Sequence, residues 1–298
     1  MNKINYLVFA LLVFIMLTGL NCSSDKNIHL KLNDSFPAIN EYPVSINLVE
    51  FSESIASQDI VLYKKKGSDL ESVPFQINDH KMWFLHKRVT EEYIIRKGQK
   101  GQSKKGDVEM RKEDGDLVLS IKDRPKLAYR YGISYPPKGI DSIYRKSGYI
   151  HPILSPKGDT LSRIQPPDHF HHYGMWGPWT HTRIKGEQVD FWNLGDGKGT
   201  VLFKEFDSTS SGPIFAAFNA GQEHIDFITE KEPQVALDEN LKITLWDLNR
   251  PDRYMFDYKT SFKSPLDNGI LFEAYRYGGG IGMRFTERWT AENCLVLT

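Results

Sequence analysis

The feature that most constrains the fold is a series of short apolar or aromatic runs separated by Gly, Asn, Asp and Ser residues. Such runs are typical of β-strands, and the run at 241–246 alternates apolar and polar side chains as a half-buried strand does. No window carries a sustained 3.6-residue apolar stripe of helical length. The sequence therefore predicts an all-β fold, a β-sandwich of antiparallel sheets with a small N-terminal β unit. The predicted strands lie at 44–49, 60–63, 73–77, 82–85, 117–121, 128–131, 189–192, 200–203, 213–218, 241–246, 254–258 and 270–275.

The N-terminus is predicted to be an export signal with a lipid anchor. Lys3 precedes an apolar run at 6–17, which is short for a membrane span of about 20 residues, and a polar exit follows. Cys22 directly after this region resembles the cysteine of a bacterial lipoprotein signal, and Ser23 after it resembles an outer-membrane address. We therefore expect an outer-membrane lipoprotein on the cell surface or the periplasmic face. A retained single-pass anchor is the alternative.

The expected organisation follows from changes in composition along the chain. The stretch 96–106 is basic, rich in glycine and almost without apolar residues, and acidic residues follow it, so a solvated linker or loop is expected there. The predicted parts are a signal peptide at 1–21, a lipid-anchored tether at 22–41, a small β unit at 42–95, a polar linker or loop at 96–116 and the main β-sandwich at 117–298.

Charge and cysteine content exclude several classes of protein. The 38 basic and 38 acidic side chains cancel, so no overall field attracts nucleic acid. Cys22 and Cys294 are too few for a disulfide framework or a cysteine-ligated zinc site. The expected partners are an oligosaccharide substrate and, through the lipid anchor, a membrane, with no nucleic acid.

An unusual concentration of histidines indicates the candidate catalytic residues. If 168–173 is extended, His169, His171 and Tyr173 share one face and His172 lies on the other. Imidazoles and a phenol are groups that transfer protons near neutral pH. Five of the nine histidines lie in one stretch: His151, His169, His171, His172 and His181.

Three tryptophans near the histidines indicate a carbohydrate site. The indoles of Trp176, Trp179 and Trp192 can stack on the apolar C–H faces of sugar rings. The leading hypothesis is proton abstraction and elimination on a uronic-acid sugar, by a lyase or dehydratase that uses no cofactor and no metal. His169 and His171 are the candidate base and acid, and Tyr173 is a substitute for either. The other candidates are His172 for acid–base chemistry and Arg163, Arg183 and His181 for holding the substrate carboxylate.

Three alternatives remain open at this point. His169 and His171 form a His-x-His pair that can bind a divalent metal, with His181, His151 or Asp168 as third ligand, in a hydrolase or oxygenase. A carboxylate pair can hydrolyse glycosides, but the spacing singles out no two of the available acids. A glycan-binding lipoprotein without turnover is the third alternative.

A glycine-rich stretch at 275–284 lacks the Lys-Ser/Thr of a phosphate-binding loop. We expect a tight turn or bulge between two strands there, with Arg284 on the strand that follows able to point into a cleft.

Four segments, at 147–158, 166–176, 189–192 and 278–282, resemble the bacterial lipoprotein family labelled methane oxygenase PmoA, which occurs with polysaccharide-degradation genes. The resemblance covers 117–298 and is most specific in the histidine-rich segment. It implies a carbohydrate role by association. The matching positions are His151, Asp168, His169, His171, His172, Trp176, Asp190 and Trp192. The expected substrate-binding residues are Arg163, Arg183, His151, Asp168, Trp176, Trp179, Asp190 and Trp192.

Overall fold

The computed structural model describes residues 27–33, 41–50, 60–86, 90–98, 107–275, 279–290 and 292–293. The chain divides into two units, Met1–Lys104 and Lys105–Thr298. The expected signal peptide and the lipid-anchor residue Cys22 lie outside the described residues. Within the described residues, no helix is long and apolar enough to cross a membrane.

The first unit is a small antiparallel β structure. One sheet has the strand order β1-β7-β3-β4 and the other β2-β6-β5. Both sheets contribute alternate apolar side chains to one core, including Leu62, Met82 and Tyr93. The strands are β1 (Ile28–Asn33), β2 (Tyr42–Asn47), β3 (Ile60–Lys66), β4 (Asp69–Val73), β5 (Phe75–Asn78), β6 (Lys81–His86) and β7 (Thr90–Lys97).

The expected tether at 22–41 was wrong where strand β1 lies. Leu30 and Leu32 alternate with polar neighbours, and both are buried in the core of the first unit. Strand β1 pairs antiparallel with β7. The small β unit therefore begins before residue 42. The sequence suggested a tether because the apolar alternation is short and the outer face of the strand is polar.

The second unit is a larger antiparallel structure. Its sheets have the strand orders β20-β12-β11-β10-β9-β8, β15-β16-β17-β18 and β14-β13-β19. The strands are β8 (Val108–Glu113), β9 (Asp116–Ile121), β10 (Arg124–Arg130), β11 (Tyr149–Ile153), β12 (Met175–Trp176), β13 (Thr182–Ile184), β14 (Glu187–Val189), β15 (Gly199–Ser210), β16 (Phe215–Asp226), β17 (Gln234–Trp246), β18 (Met255–Lys263), β19 (Leu271–Phe272) and β20 (Gly282–Met283).

The all-β sandwich prediction is confirmed. Helical structure in the described residues is confined to 3₁₀ turns at Leu48–Glu50, Ser142–Tyr144 and Leu194–Asp196. The expected linker at 96–116 was wrong where β8 lies, because Val108 is buried and β8 pairs with β9 along its whole length. Four of its six residues are charged, and none of these four is buried, so the segment resembles a polar loop in sequence.

The main core lies between the six-stranded and the four-stranded sheet. Phe218 on β16 and Ile243 on β17 point towards Leu119 and Ile150 of the facing sheet. Burial alternates with period two along β16 from Phe218 onwards, as the pleat of a strand with one buried face requires.

The opposite face of the six-stranded sheet positions the candidate site. Ile150 and Met175 point into the main core, so their neighbours Tyr149 and Trp176 point to the outer face. There they form a second apolar cluster with Tyr173 and Leu194. The histidine-rich loop packs over this outer cluster.

Replacing Leu30 by Ala tests whether β1 belongs to the fold. Deleting a buried leucine side chain costs about 2–5 kcal/mol, so the urea unfolding transition of the first unit is expected to move to markedly lower denaturant. Lys31→Ala, on the exposed face of the same strand, is the control and should change stability by less than about 0.5 kcal/mol. Equal, small effects of both substitutions would contradict the placement of β1.

Candidate functional site

The histidine-rich loop is a series of turns and not a strand. Ile164 and Tyr173 form an antiparallel bridge, so the residues between them must leave the sheet and return to the same point. The N–H of His169 donates to the carbonyl of Pro166 at 2.8 Å, and the N–H of His172 donates to the carbonyl of His169 at 3.0 Å. The predicted extended conformation of 168–173 was therefore wrong.

The turns bring three imidazoles together. The rings of His169 and His172 are stacked, with centroids 4.6 Å apart and an angle of 17° between the planes. His171 meets His169 edge-on at 5.5 Å and His172 edge-on at 4.6 Å. The prediction that His172 lies opposite the other two was wrong, because tight turns and not strand alternation set their directions. We call His169, His171 and His172 the histidine cluster.

An ion pair joins the histidine cluster to a distant strand segment. Nη2 of Arg284 donates to both carboxylate oxygens of Asp168, at 3.1 and 2.8 Å. Nδ1 of His169 lies 2.8 Å from Oδ2 of the same carboxylate. The hydrogen bonds from His169 and Arg284 hold the pKa of Asp168 well below its usual range. Asp168 is thus an ionised acceptor that orients one imidazole and one guanidinium.

His172 is held as a neutral imidazole. Its Nδ1 accepts a long hydrogen bond, 3.4 Å, from Nη1 of Arg284, and a guanidinium can only donate. Its proton is therefore on Nε2. Burial and the neighbouring imidazoles lower its pKa to about 3. One face of the ring stacks on Trp192, with centroids 5.7 Å apart and planes 19° apart.

His171 has the most available nitrogen atoms of the cluster. Burial, and next the charge of His169, lower its pKa. Its ring meets Trp192 edge-on at 5.9 Å. In the part of the chain that the structure describes, neither ring nitrogen of His171 has a hydrogen-bond partner. A neutral imidazole of this kind can accept a proton.

Tyr173 is a structural residue. Its side chain is fully buried, its hydroxyl donates to the carbonyl of Tyr144, and it accepts from Nε2 of Gln165 at 2.6 Å. Burial raises the pKa of the phenol. The expectation that Tyr173 substitutes for a catalytic histidine was wrong, because its alternation with His169 and His171 is lost and its hydroxyl points into the protein.

The tryptophans do not form one stacking surface. Trp176 is only 4% exposed and packs in the outer cluster with Tyr149 and Tyr173, which contradicts its expected role as a sugar platform. Trp179 packs against Phe272. Trp192 remains beside the histidine cluster, where it supports the ring of His172.

Asp190 serves the loop that carries Trp192. One of its carboxylate oxygens accepts from the N–H of Trp192 and of Asn193, both at 2.8 Å, and the other accepts from the hydroxyl of Thr180 at 2.6 Å. These bonds turn the chain after Val189, where strand β14 ends, so the strand predicted at 189–192 was wrong beyond its first residue. The carboxylate of Asp190, expected to bind substrate, is occupied within the protein.

Four other expected residues make their side-chain contacts outside the histidine cluster. Arg183 is engaged with Glu273 by two hydrogen bonds, at 3.0 and 3.2 Å, which raise the pKa of the guanidinium. The ring of His181 lies 3.9 Å from that of Tyr275. Arg163 lines a different cleft together with His151.

Residues 116–298 match the sequence model of a family described as a family of unknown function, DUF6807. The chain belongs to this family. The matched stretch contains the histidine cluster, Asp168 and Arg284, so the arrangement lies wholly within the DUF6807 region. No curated protein and no solved structure matches the chain.

Metal binding by the DUF6807 chain is not favoured by the placement of its side chains. In the described residues, no group of three or more His, Cys, Asp or Glu side chains is arranged to hold one ion. The two rings of the His-x-His pair, His169 and His171, meet edge-on with centroids 5.5 Å apart, and Nδ1 of His169 faces Asp168.

The structure also contains a buried polar group that the sequence did not indicate. Nε2 of His224 lies 2.8 Å from Oε2 of Glu239, and Thr260 donates to the other carboxylate oxygen at 2.6 Å. Burial lowers the pKa of the nearby Lys146 to about 8. His224, Glu239 and Thr260 lie on three different strands, and none has a distinctive sequence neighbourhood, so no local signal could have found them. Arg284 is the other residue that the structure adds to the site. From the sequence it was expected only to be able to point into a cleft.

The lowered histidine pKa values predict a loss of stability in mild acid. His172 and His151 titrate near 3 and 4 in the folded chain and near 6.5 when unfolded, so below about pH 6.5 the unfolded chain binds more protons. The melting temperature of the second unit should therefore fall between about pH 7.5 and pH 5.

His172→Gln should reduce that fall, because the variant has no imidazole to protonate at this position. His80→Asn, an exposed histidine of the first unit, is the control and should leave the fall unchanged. Differential scanning calorimetry at several pH values measures both. A fall of the same size in His172→Gln and the unsubstituted chain would contradict the account of His172.

Proposed function

We propose that this DUF6807 protein is a lyase that acts on acidic oligosaccharides by elimination at the histidine cluster. The observation that carries the proposal is an imidazole with available ring nitrogens, His171, whose centroid lies 4.6 Å from that of His172, the ring that accepts from the guanidinium of Arg284. Elimination beside a carboxylate needs these two groups together: one takes a proton from carbon, and the other neutralises the carboxylate that makes this proton acidic.

Arg284 replaces Arg163 and Arg183 as the proposed carboxylate clamp. Its Nη2 is held by Asp168 and its Nη1 is turned towards His172, so the plane of the guanidinium is fixed. A substrate carboxylate can accept hydrogen bonds from this preoriented group, and fixed donors stabilise the negative charge that develops on the carboxylate during proton removal.

His171 is the proposed base and His169 the proposed acid. His171 takes the proton from the carbon next to the carboxylate, and the C–H electron pair forms a double bond to the adjacent carbon. The bond from that carbon to the leaving oxygen breaks, and the oxygen takes a proton from protonated His169, which Asp168 orients through Nδ1. The products are an unsaturated uronate and a sugar alcohol, and proton exchange with solvent restores both histidines.

His172 is a positioning residue in this proposal. Its ring lies between His169 and Trp192, and its Nδ1 accepts from Arg284. A neutral ring at this position keeps the guanidinium and the acid in place without adding a competing positive charge. The proposed export and lipid anchoring through Cys22 would place the reaction at the outer membrane, where polysaccharide fragments are met.

The elimination is tested with the soluble chain from Ser23 onwards and a panel of uronic-acid oligosaccharides, with and without chelator. The expected result is cleavage or loss of water with new ultraviolet absorbance from a conjugated double bond, unaffected by chelator. His171→Ala should lower kcat by about 10²–10⁴-fold, the usual contribution of a general base. His80→Asn should keep full activity.

Two outcomes would contradict the proposal. Activity that chelator abolishes would point to a metal enzyme, and binding without product would point to a glycan-binding protein.

Substitution of Arg284 tests the carboxylate clamp. Arg284→Gln should lower kcat/KM by about 10²–10³-fold, as removal of a preoriented electrostatic donor does. Arg284→Lys keeps the charge but loses the planar fork that bonds Asp168, so it should recover only part of the activity. Steady-state kinetics on the best oligosaccharide measures both. Full activity in Arg284→Gln would remove this residue from the mechanism.

A further inference from the structure

A second candidate site lies in the same unit, in a cleft of about 440 Å³. Arg163 and Ser162 form one wall, Thr286, Glu287 and Arg288 form the other, and His151 also lines it. We infer that this cleft, here called the arginine cleft, binds a further acidic sugar unit of the oligosaccharide. This inference rests on the proposed function for the identity of its ligand.

The buried pair of Ser162 and His151 is built to present one hydrogen-bond donor. The Ser162 side chain is 1% exposed, and its Oγ accepts from the N–H of Ile153 at 2.9 Å and lies 2.9 Å from Nδ1 of His151. In the described chain these are its only partners, so its hydroxyl proton is donated to Nδ1. The proton of the neutral His151 ring is then on Nε2, which is the polar group that this ring has left for a ligand.

Two arginines and two acids line the arginine cleft, so its affinity for an anion depends on how firmly the acids hold the arginines. Arg163 is 3.4 Å from a carboxylate oxygen of Glu287, whose side chain is 72% exposed, and such surface pairs are weak. Arg288 has no ion-pair partner among the residues that the structure describes. Asp159, the other acid of the cleft, accepts from the hydroxyl of Ser155 at 3.1 Å. A ligand carboxylate or sulfate can therefore displace Glu287 from Arg163 and neutralise Arg288.

The segment that forms one wall also carries two exposed aromatic rings. Phe285 and Trp289 are 45% and 43% exposed, and their centroids are 5.5 Å apart. The cleft itself is lined by the hydroxyls of Thr160 and Thr286, and the two rings lie on the segment that carries Thr286. Hydroxyl groups in the cleft and exposed rings on the same segment suit a ligand that has both many hydroxyls and apolar C–H faces. A sugar that carries an acid group has this combination.

The arginine cleft adjoins the histidine cluster through the backbone. The N–H of Arg163 donates to the carbonyl of Arg284 at 2.9 Å, and the carbonyl of Arg163 accepts from the N–H of Gly174 at 2.9 Å. One wall of the cleft is therefore hydrogen-bonded to both the strand segment and the loop end that carry the proposed reaction. Neighbouring units of one oligosaccharide can occupy the two sites at the same time.

The inference is tested with acidic hexasaccharides and disaccharides from the same panel. Arg288→Gln should raise the KM for the hexasaccharide about tenfold, since a lost charge-assisted contact costs about 1.4 kcal/mol or more, and leave kcat and the disaccharide KM unchanged. Arg253→Gln, an exposed arginine of another loop, is the matched control. An unchanged hexasaccharide KM in both Arg288→Gln and Arg163→Gln would overturn the inference.

Calorimetric binding separates this inference from the proposed function. If no sugar is turned over, tighter binding of an acidic hexasaccharide than of neutral cellohexaose, weakened about tenfold by Arg288→Gln, would still support the arginine cleft and reject only the lyase. Equal binding of both sugars, or no binding of any acidic hexasaccharide, would overturn the cleft itself.

Discussion

The candidate site depends on the buried hydroxyl of Tyr173. This group donates to the carbonyl of Tyr144 and accepts from Gln165, so it fixes both ends of the histidine-rich loop on the outer face of the six-stranded sheet. A buried phenol needs such partners, because an unsatisfied hydroxyl costs about 1–3 kcal/mol. With both ends fixed, the intervening residues must turn outwards. The proximity of the three imidazoles is a consequence of that closure.

Electrostatics then distinguishes the three histidines. Asp168 orients His169, Arg284 donates to His172, and His171 keeps its ring nitrogens available while burial lowers its pKa. The same residue type thus occupies three different environments in one loop. This separation gives the proposed lyase a base, an acid and a positioning group, and Arg284 links the loop to a strand segment far along the chain.

Much of the fold could be predicted from the sequence, because sheet burial is a local pattern. The alternation at 241–246 lies within the long strand β17, and the all-β sandwich followed from such runs. Strands β1 and β8 were missed because their polar outer faces resemble a tether and a linker. The histidine-rich loop was recognised by composition, but its shape was not, since the bridge between Ile164 and Tyr173 is a tertiary contact.

Non-local contacts explain the other failures. The ion pair between Arg284 and Asp168 joins segments 116 residues apart. The buried contact of His224 with Glu239 crosses between the paired strands β16 and β17, so it depends on a strand register that the sequence does not give. Trp176 was expected as a sugar platform, yet strand β12 turns it into an apolar cluster. Tryptophan alone does not distinguish a buried ring from a binding surface.

The most direct test of the central claim is proton NMR of one acidic trisaccharide incubated with the protein in the presence of chelator. Elimination predicts that the signal of the proton next to the carboxylate disappears as a vinyl proton signal appears, and that neither change occurs with His171→Ala. Cleavage that leaves the proton next to the carboxylate in place would show hydrolysis and would contradict the account.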